Sequence, residues 1–170
     1  MKKLIVSIVI VSSVVMAAGH KKAGVKPVDN QLYINECASC HFAYQPGLLP
    51  ERSWRKVMSN LENHFGDDAT LDPEDAKTLL NYLVENSADK AQQFKRSRKI
   101  YKSIRAGETP VAVSQTRYFK HEHRGIPKRL IRQKEVRSLS NCMACHTTAD
   151  KGIYGERAIK IPNYGRWDDD

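Results

Sequence analysis

The 170-residue chain is short of cysteine, of long apolar runs and, over one stretch, of acid. It has four Cys, 41% hydrophobic residues and 28% charged residues, with a mean hydropathy of −0.56. That balance excludes a multi-span membrane protein, while the periodic apolar segments exclude a wholly disordered one. The length allows one ordinary domain or two very small ones. The longest apolar run, Leu4–Met16, is too short to span a bilayer comfortably. It follows Lys2 and Lys3 and precedes small residues, with Val15-Met16-Ala17 fitting a cleavage site. Residues 1–17 therefore read as a secretory signal peptide, leaving no spanning segment in the mature chain and placing it in the periplasm. Residues 18–30, with Lys21, Lys22, Lys26 and Pro27, show no core-forming pattern and read as a flexible leader.

The few cysteines sit in two copies of one pattern, Cys37-Ala38-Ser39-Cys40-His41 and Cys142-Met143-Ala144-Cys145-His146, and no Cys lies outside them. Two thiols three positions apart on a helical turn can each add to one vinyl group of a haem. The adjacent His then offers its imidazole to the iron. Cys-x-x-Cys-His is the attachment pattern of c-type haem. A disulfide or a dithiol gives no reason for a His after each pair, and structural zinc fits an exported chain less well. Two covalently attached haem c groups are expected, on Cys37 and Cys40 with His41, and on Cys142 and Cys145 with His146.

Between the two motifs the sequence reads as helix. Pro50 and Glu51 open one, with Trp54, Val57, Met58, Leu61 and Phe65 on one face and an end at Gly66-Asp67-Asp68. Asp72 and Pro73 open a second, with Ala76, Leu79, Leu80 and Leu83 as its stripe. A third is expected from Ser87 to Ile104. Val111-Ala112-Val113 suits a short strand or an extended crossing, and a brief helix is expected over Tyr118–His123. Nothing else suggests a sheet. The fold class is mainly α: two small haem-centred lobes, 31–89 and 90–165, joined near Asp89 by the long basic helix, with an acidic tail at 166–170. A lobe of this size buries little surface alone, so folding is expected to depend on the haems.

Acid is scarce from Lys90 to Arg137, where 15 basic residues face only Glu108, Glu122 and Glu135, whereas Gly19–Asp89 holds 7 basic and 11 acidic residues. Lys95, Arg96, Arg98, Lys99, Lys102 and Arg105 suit either a solvated helix face, partly paired to haem propionates, or a docking surface for an acidic redox partner. Despite a pI near 9.4, nucleic acid is not an expected partner of an exported haem protein.

Four His remain for the distal sides of the irons. His20 lies in the leader. His64 lies at the end of the first amphipathic helix, at the edge of its buried face, and competes with Met58 on the same stripe or with an open iron. For the second haem the segment Tyr118–His123 holds His121 and His123, which diverge by about 200° on a helix, so at most one faces the iron.

Several stretches resemble the bacterial dihaem cytochrome c family: Cys-Ala-Ser-Cys-His-Phe-Ala-Tyr-Gln-Pro-Gly-Leu-Leu-Pro at 37–50, Leu-Glu-Asn-His-Phe-Gly-Asp-Asp-Ala-Thr-Leu at 61–71, the segment from Tyr118-Phe119 to Ile126-Pro127, and the second attachment site through Ile161-Pro162. The resemblance covers most of residues 31–163. It implies an N-terminal lobe like a small cytochrome c and bis-His irons, His41 with His64 and His146 with His123. This chain also carries His121, outside the family pattern. The implied role is a one-electron carrier, not an enzyme, working through two low-potential haems, since Met rather than His raises the potential. Its partner would be a monohaem cytochrome, oxygen-binding in this family, or a membrane-bound electron donor. The alternative is a haem protein with one open iron, binding a small gas or acting as a small oxidoreductase.

Overall fold

The computed structural model describes residues 22–167; the expected signal peptide, His20 and Asp168–Asp170 lie outside them. The N-terminal half is built on three helices. Helix α1 (Gln31–Cys37) starts where the Asn30 side chain accepts from the Tyr33 amide at 2.8 Å, and it runs into the first cysteine. Helix α2 spans Glu51–Met58 and α3 spans Pro73–Glu85. Asp72 caps α3 with Pro73 at its first position, as expected. Tyr33, Leu49, Trp54, Leu79 and Leu83 pack as one buried core, with Met58 against it. The Trp54 indole N–H is satisfied by the Pro46 carbonyl at 2.8 Å.

Helix α2 is shorter than its apolar stripe, which continues to Phe65. At Asn60 the backbone leaves the helical region (φ −143°, ψ 48°), and its side-chain amide donates to the Asn63 carbonyl. Such local bonds compete with the helical ladder. A single 3₁₀ turn, Leu61–Asn63, follows, so His64 sits beyond the helix, not on it.

The expected Ser87–Ile104 helix is also corrected. Helix α4 covers only Lys95–Ser103. The Ser87 hydroxyl donates to the Val84 carbonyl and to the Asp89 carboxylate, which in turn accepts from the Glu51 amide and so caps α2. Those bonds hold 87–94 in turns. Residues 111–112 are an extended crossing into a 3₁₀ turn, Val113–Gln115. Helices α5 (Arg117–Glu122), α6 (Lys128–Arg132) and α7 (Cys142–Cys145) follow. A small ribbon, β1 (Lys160–Ile161) antiparallel to β2 (Gly165–Arg166), closes the described chain. The sequence reading had no sheet there, because two-residue strands carry no alternation to read.

A second core joins Val25, Leu48, Ile100 and Ile104. Two of these come from before Asp89, so the packing does not divide there. The described part of the expected flexible leader is packed: Val25 is fully buried, and the Gly24 and Val25 amides donate to the Gly152 carbonyl at 2.8 and 3.2 Å. The backbone at Gly152 has φ +68°, and a Cβ there would lie 2.1 Å from the Val25 oxygen, which only glycine avoids. Among the described residues no helix is long and apolar enough to cross a membrane.

Candidate haem sites

The first centre is formed where α1 ends. Cys37 is half-buried, and burial pushes its thiol up to about 11. His41 Nδ1 lies 2.8 Å from the Phe42 carbonyl. Only a protonated nitrogen bonds a carbonyl, so that contact leaves Nε2 as the free lone pair a metal requires. Opposite it stands His64, presented by a tight turn in which its amide donates to the Asp67 carbonyl at 2.7 Å and the Asp67 amide donates back at 3.2 Å. Phe65 (φ 57°) and Gly66 (φ 103°) make the turn possible; a left-handed conformation is rare for so bulky a residue as Phe. The Phe65 ring meets the His64 ring edge-on at 4.9 Å. The His41 and His64 rings are 6.1 Å apart between centroids, their planes inclined by 30°. Partial burial, then the neighbouring His41, hold His64 below the usual imidazole range, which keeps it neutral.

The second centre is more enclosed. The short helix α7 carries both cysteines, and the His146 amide donates to the Cys142 carbonyl at 2.8 Å, extending the turn so that the imidazole follows the thiols. Burial pushes the Cys142 thiol up to about 11. His123 is the C-cap of α5. Its Nδ1 lies 2.9 Å from the Phe119 carbonyl, and its ring stacks on Phe119 at 3.9 Å. The His123 and His146 rings are 6.0 Å apart, inclined by 75°. Burial first, then His123 and the positive charge of Arg96, bring His146 down to about 4. A cavity of about 370 Å³ opens between them, reached by Cys142, Cys145 and Arg96.

His121 is exposed and its Nδ1 accepts from the Arg124 guanidinium at 2.9 Å; it borders the same cavity, but the ring facing His146 is that of His123. Met58 packs into the first core. Two metal–imidazole bonds of about 2 Å each, plus two half-rings, sum to about 6 Å, which is the spacing of both facing pairs. Among the described residues no group of three or more His, Cys, Asp and Glu side chains converges as a metal cage would. Each centre has one facing pair of imidazoles, and a macrocycle with four in-plane nitrogens would need two such groups from the protein. The residues fit a haem at each centre.

Three residues around these centres carried no sequence signal as site residues. Tyr44 lies 5.2 Å from the His41 ring and donates to the Ser140 carbonyl at 2.5 Å. Fully buried Gln45 donates to the Ala149 carbonyl and accepts from the Tyr154 hydroxyl, whose ring is 5.4 Å from His146. Arg96 turns inward from a helix whose cations suited either a solvated face, partly paired to haem propionates, or a docking surface. Its spacing of four from the buried Ile100 was the available clue.

A mainly helical chain with two Cys-x-x-Cys-His motifs, each beside a facing pair of imidazoles, defines a multihaem c-type cytochrome. The family model for dihaem cytochrome c matches residues 33–154. The chain belongs to that family, which carries two covalently bound haem c groups and serves haem-based electron transfer. Among solved structures it is similar to the diheme cytochrome c of Shewanella baltica OS155. That match has 38% identity and a TM-score of 0.67, covering 82% of this chain and 98% of that one. It is also similar to the diheme cytochrome c of Rhodobacter sphaeroides, with 37% identity and a TM-score of 0.68, covering 76% of this chain and all of that one. No curated protein matches the chain significantly.

Proposed function

We propose that the chain is a periplasmic one-electron carrier whose two haems are both bis-His ligated, by His41 with His64 and by His146 with His123, and sit at low potential. The observation that carries this reading is the pair of imidazole separations, 6.1 and 6.0 Å, each beside its own attachment cysteines. Bound there, haem iron supplies reversible one-electron chemistry. The protein orients both imidazoles through Nδ1 contacts to backbone carbonyls at His41 and His123, encloses the second pair, and leaves no axial position for a substrate. Two nitrogen ligands stabilise the ferric state better than a His/Met pair does, hence the low potentials. Membership of a cytochrome c family and the charged, apolar, small-residue order of residues 1–17 support export. The redox partner is a monohaem cytochrome or a membrane-bound donor. Optical spectra of the matured protein, reduced with and without carbon monoxide, test the ligation. An unchanged low-spin spectrum, with no Met-to-iron band when oxidised, is expected. Ready binding of carbon monoxide at one haem would overturn a distal assignment.

A further inference from the structure

We propose that Arg96 is a tuning residue of the second centre, a fixed positive charge that raises the potential of the haem between His123 and His146 and leaves the first haem where it is. The inference rests on those two His being that haem's axial pair. Arg96 belongs to the most basic helix, yet its side chain is only 23% exposed. Three separate segments hold it. One terminal nitrogen donates to the Tyr118 hydroxyl at 2.8 Å, and the other donates to the Tyr154 carbonyl at 2.5 Å. The guanidinium lies 6.0 Å from the centre of the Tyr154 ring, which itself packs 5.4 Å from His146. Gly24 forms the remaining wall: a Cβ there would come within 3.0 Å of the Arg96 stem. A single carboxylate, Glu122, faces the guanidinium, at 3.7 Å.

The sign follows from charge alone. One-electron reduction takes ferric iron to ferrous and removes one positive charge from the centre; no bond or proton need move. A neighbouring cation disfavours the more positive ferric state and so raises the potential. Three-quarters burial keeps water from screening that interaction. At the first centre the charged side chain beside the distal His is Asp67, of the opposite sign.

The two haems can be followed separately. Nearly parallel axial imidazoles split the iron d orbitals and give an ordinary low-spin ferric signal in electron paramagnetic resonance. Nearly perpendicular ones leave those orbitals close in energy and give a strongly anisotropic signal. Ring angles of 30° and 75° assign the ordinary signal to the first haem and the anisotropic one to the second. Redox titrations of the dihaem protein followed by these signals should show the second potential lowered in Arg96→Gln, nearly retained in Arg96→Lys, and raised in Glu122→Gln. The first potential should not move. Opposite signs for the two neutralising variants separate charge from packing, because loosening the pocket would shift both the same way. Should Arg96→Gln fail to take up haem, Arg96→Lys and Glu122→Gln still decide. Unmoved potentials, shifts of the same sign, or equal shifts at both haems would overturn the role of Arg96. Failure of the underlying ligation would show earlier, as a high-spin signal in the unaltered protein.

Discussion

At the second centre the proposed ligand and the other histidine of the segment are two residues apart. His123 ends α5, where its ring is pinned by Phe119 on one face and by the Phe119 carbonyl at Nδ1. His121, two positions back inside the helix, is exposed and meets Arg124. Removing the His123 imidazole should therefore open one iron: His123→Ala is expected to turn half of the haem high-spin and to make the reduced protein bind about one equivalent of carbon monoxide. His121→Ala should leave the optical spectrum unchanged; the reverse result would exchange their roles. The attachment residues were legible because thioether chemistry fixes their spacing. Helical spacing did not separate His123 from His121, since the two lie at the same end of α5, one in its last turn and one at its C-cap; only the resemblance favoured His123. Arg96 was hidden by composition, one cation among many, its inward turn set by Gly24 and two tyrosines from distant segments.

Among the elements, the short strap at residues 44–46 does more than its length suggests. Tyr44 reaches Ser140, Gln45 reaches Ala149 and Tyr154, and the Pro46 carbonyl accepts from Trp54, so the loop leaving the first haem motif is tied to both flanks of the second. Gln45→Leu keeps much of the volume but leaves the Tyr154 hydroxyl without its acceptor and the Ala149 carbonyl with the Gly152 amide alone. A buried polar group left unsatisfied costs about 1–3 kcal/mol, so chemical denaturation of the dihaem protein should show a loss of roughly that size. A change within the ±0.5 kcal/mol or so of an ordinary surface substitution would mean the strap is incidental. Helices α2 and α3 were readable at their starts, where Pro and Asp set the backbone locally. The failed reading of a helix through 87–94 has the same kind of cause seen from outside: Ser87 and Asp89 spend their side chains on Val84 and on the start of α2, a tertiary demand invisible to periodicity.

For the molecule as a whole, the mainly helical character was legible from apolar spacing and caps, but the interlocking of its halves was not, because Val25 is a lone buried side chain in a segment without a pattern. The two cores differ in how they are assembled. The first draws all its buried members, Tyr33, Leu49, Trp54, Leu79 and Leu83, from one stretch of chain. The second gathers Val25, Leu48, Ile100 and Ile104 from before, within and after that stretch, and its members Leu48 and Ile100 also line the cavity between His123 and His146. A prosthetic group fastened in that cavity therefore acts as core for the second cluster but not for the first. Replacing both attachment thiols, Cys142→Ser with Cys145→Ser, should give a protein whose mass shows one covalent haem. Hydrogen exchange should then rise over 22–26, α4, α5 and the segment 149–161, while α2 and α3 stay protected, since local opening follows the contacts that are lost. Loss of protection in all of these elements would show that the strap at 44–46 couples the cores into one cooperative unit. Full protection everywhere would show that the second haem is cargo, held by a fold that does not need it.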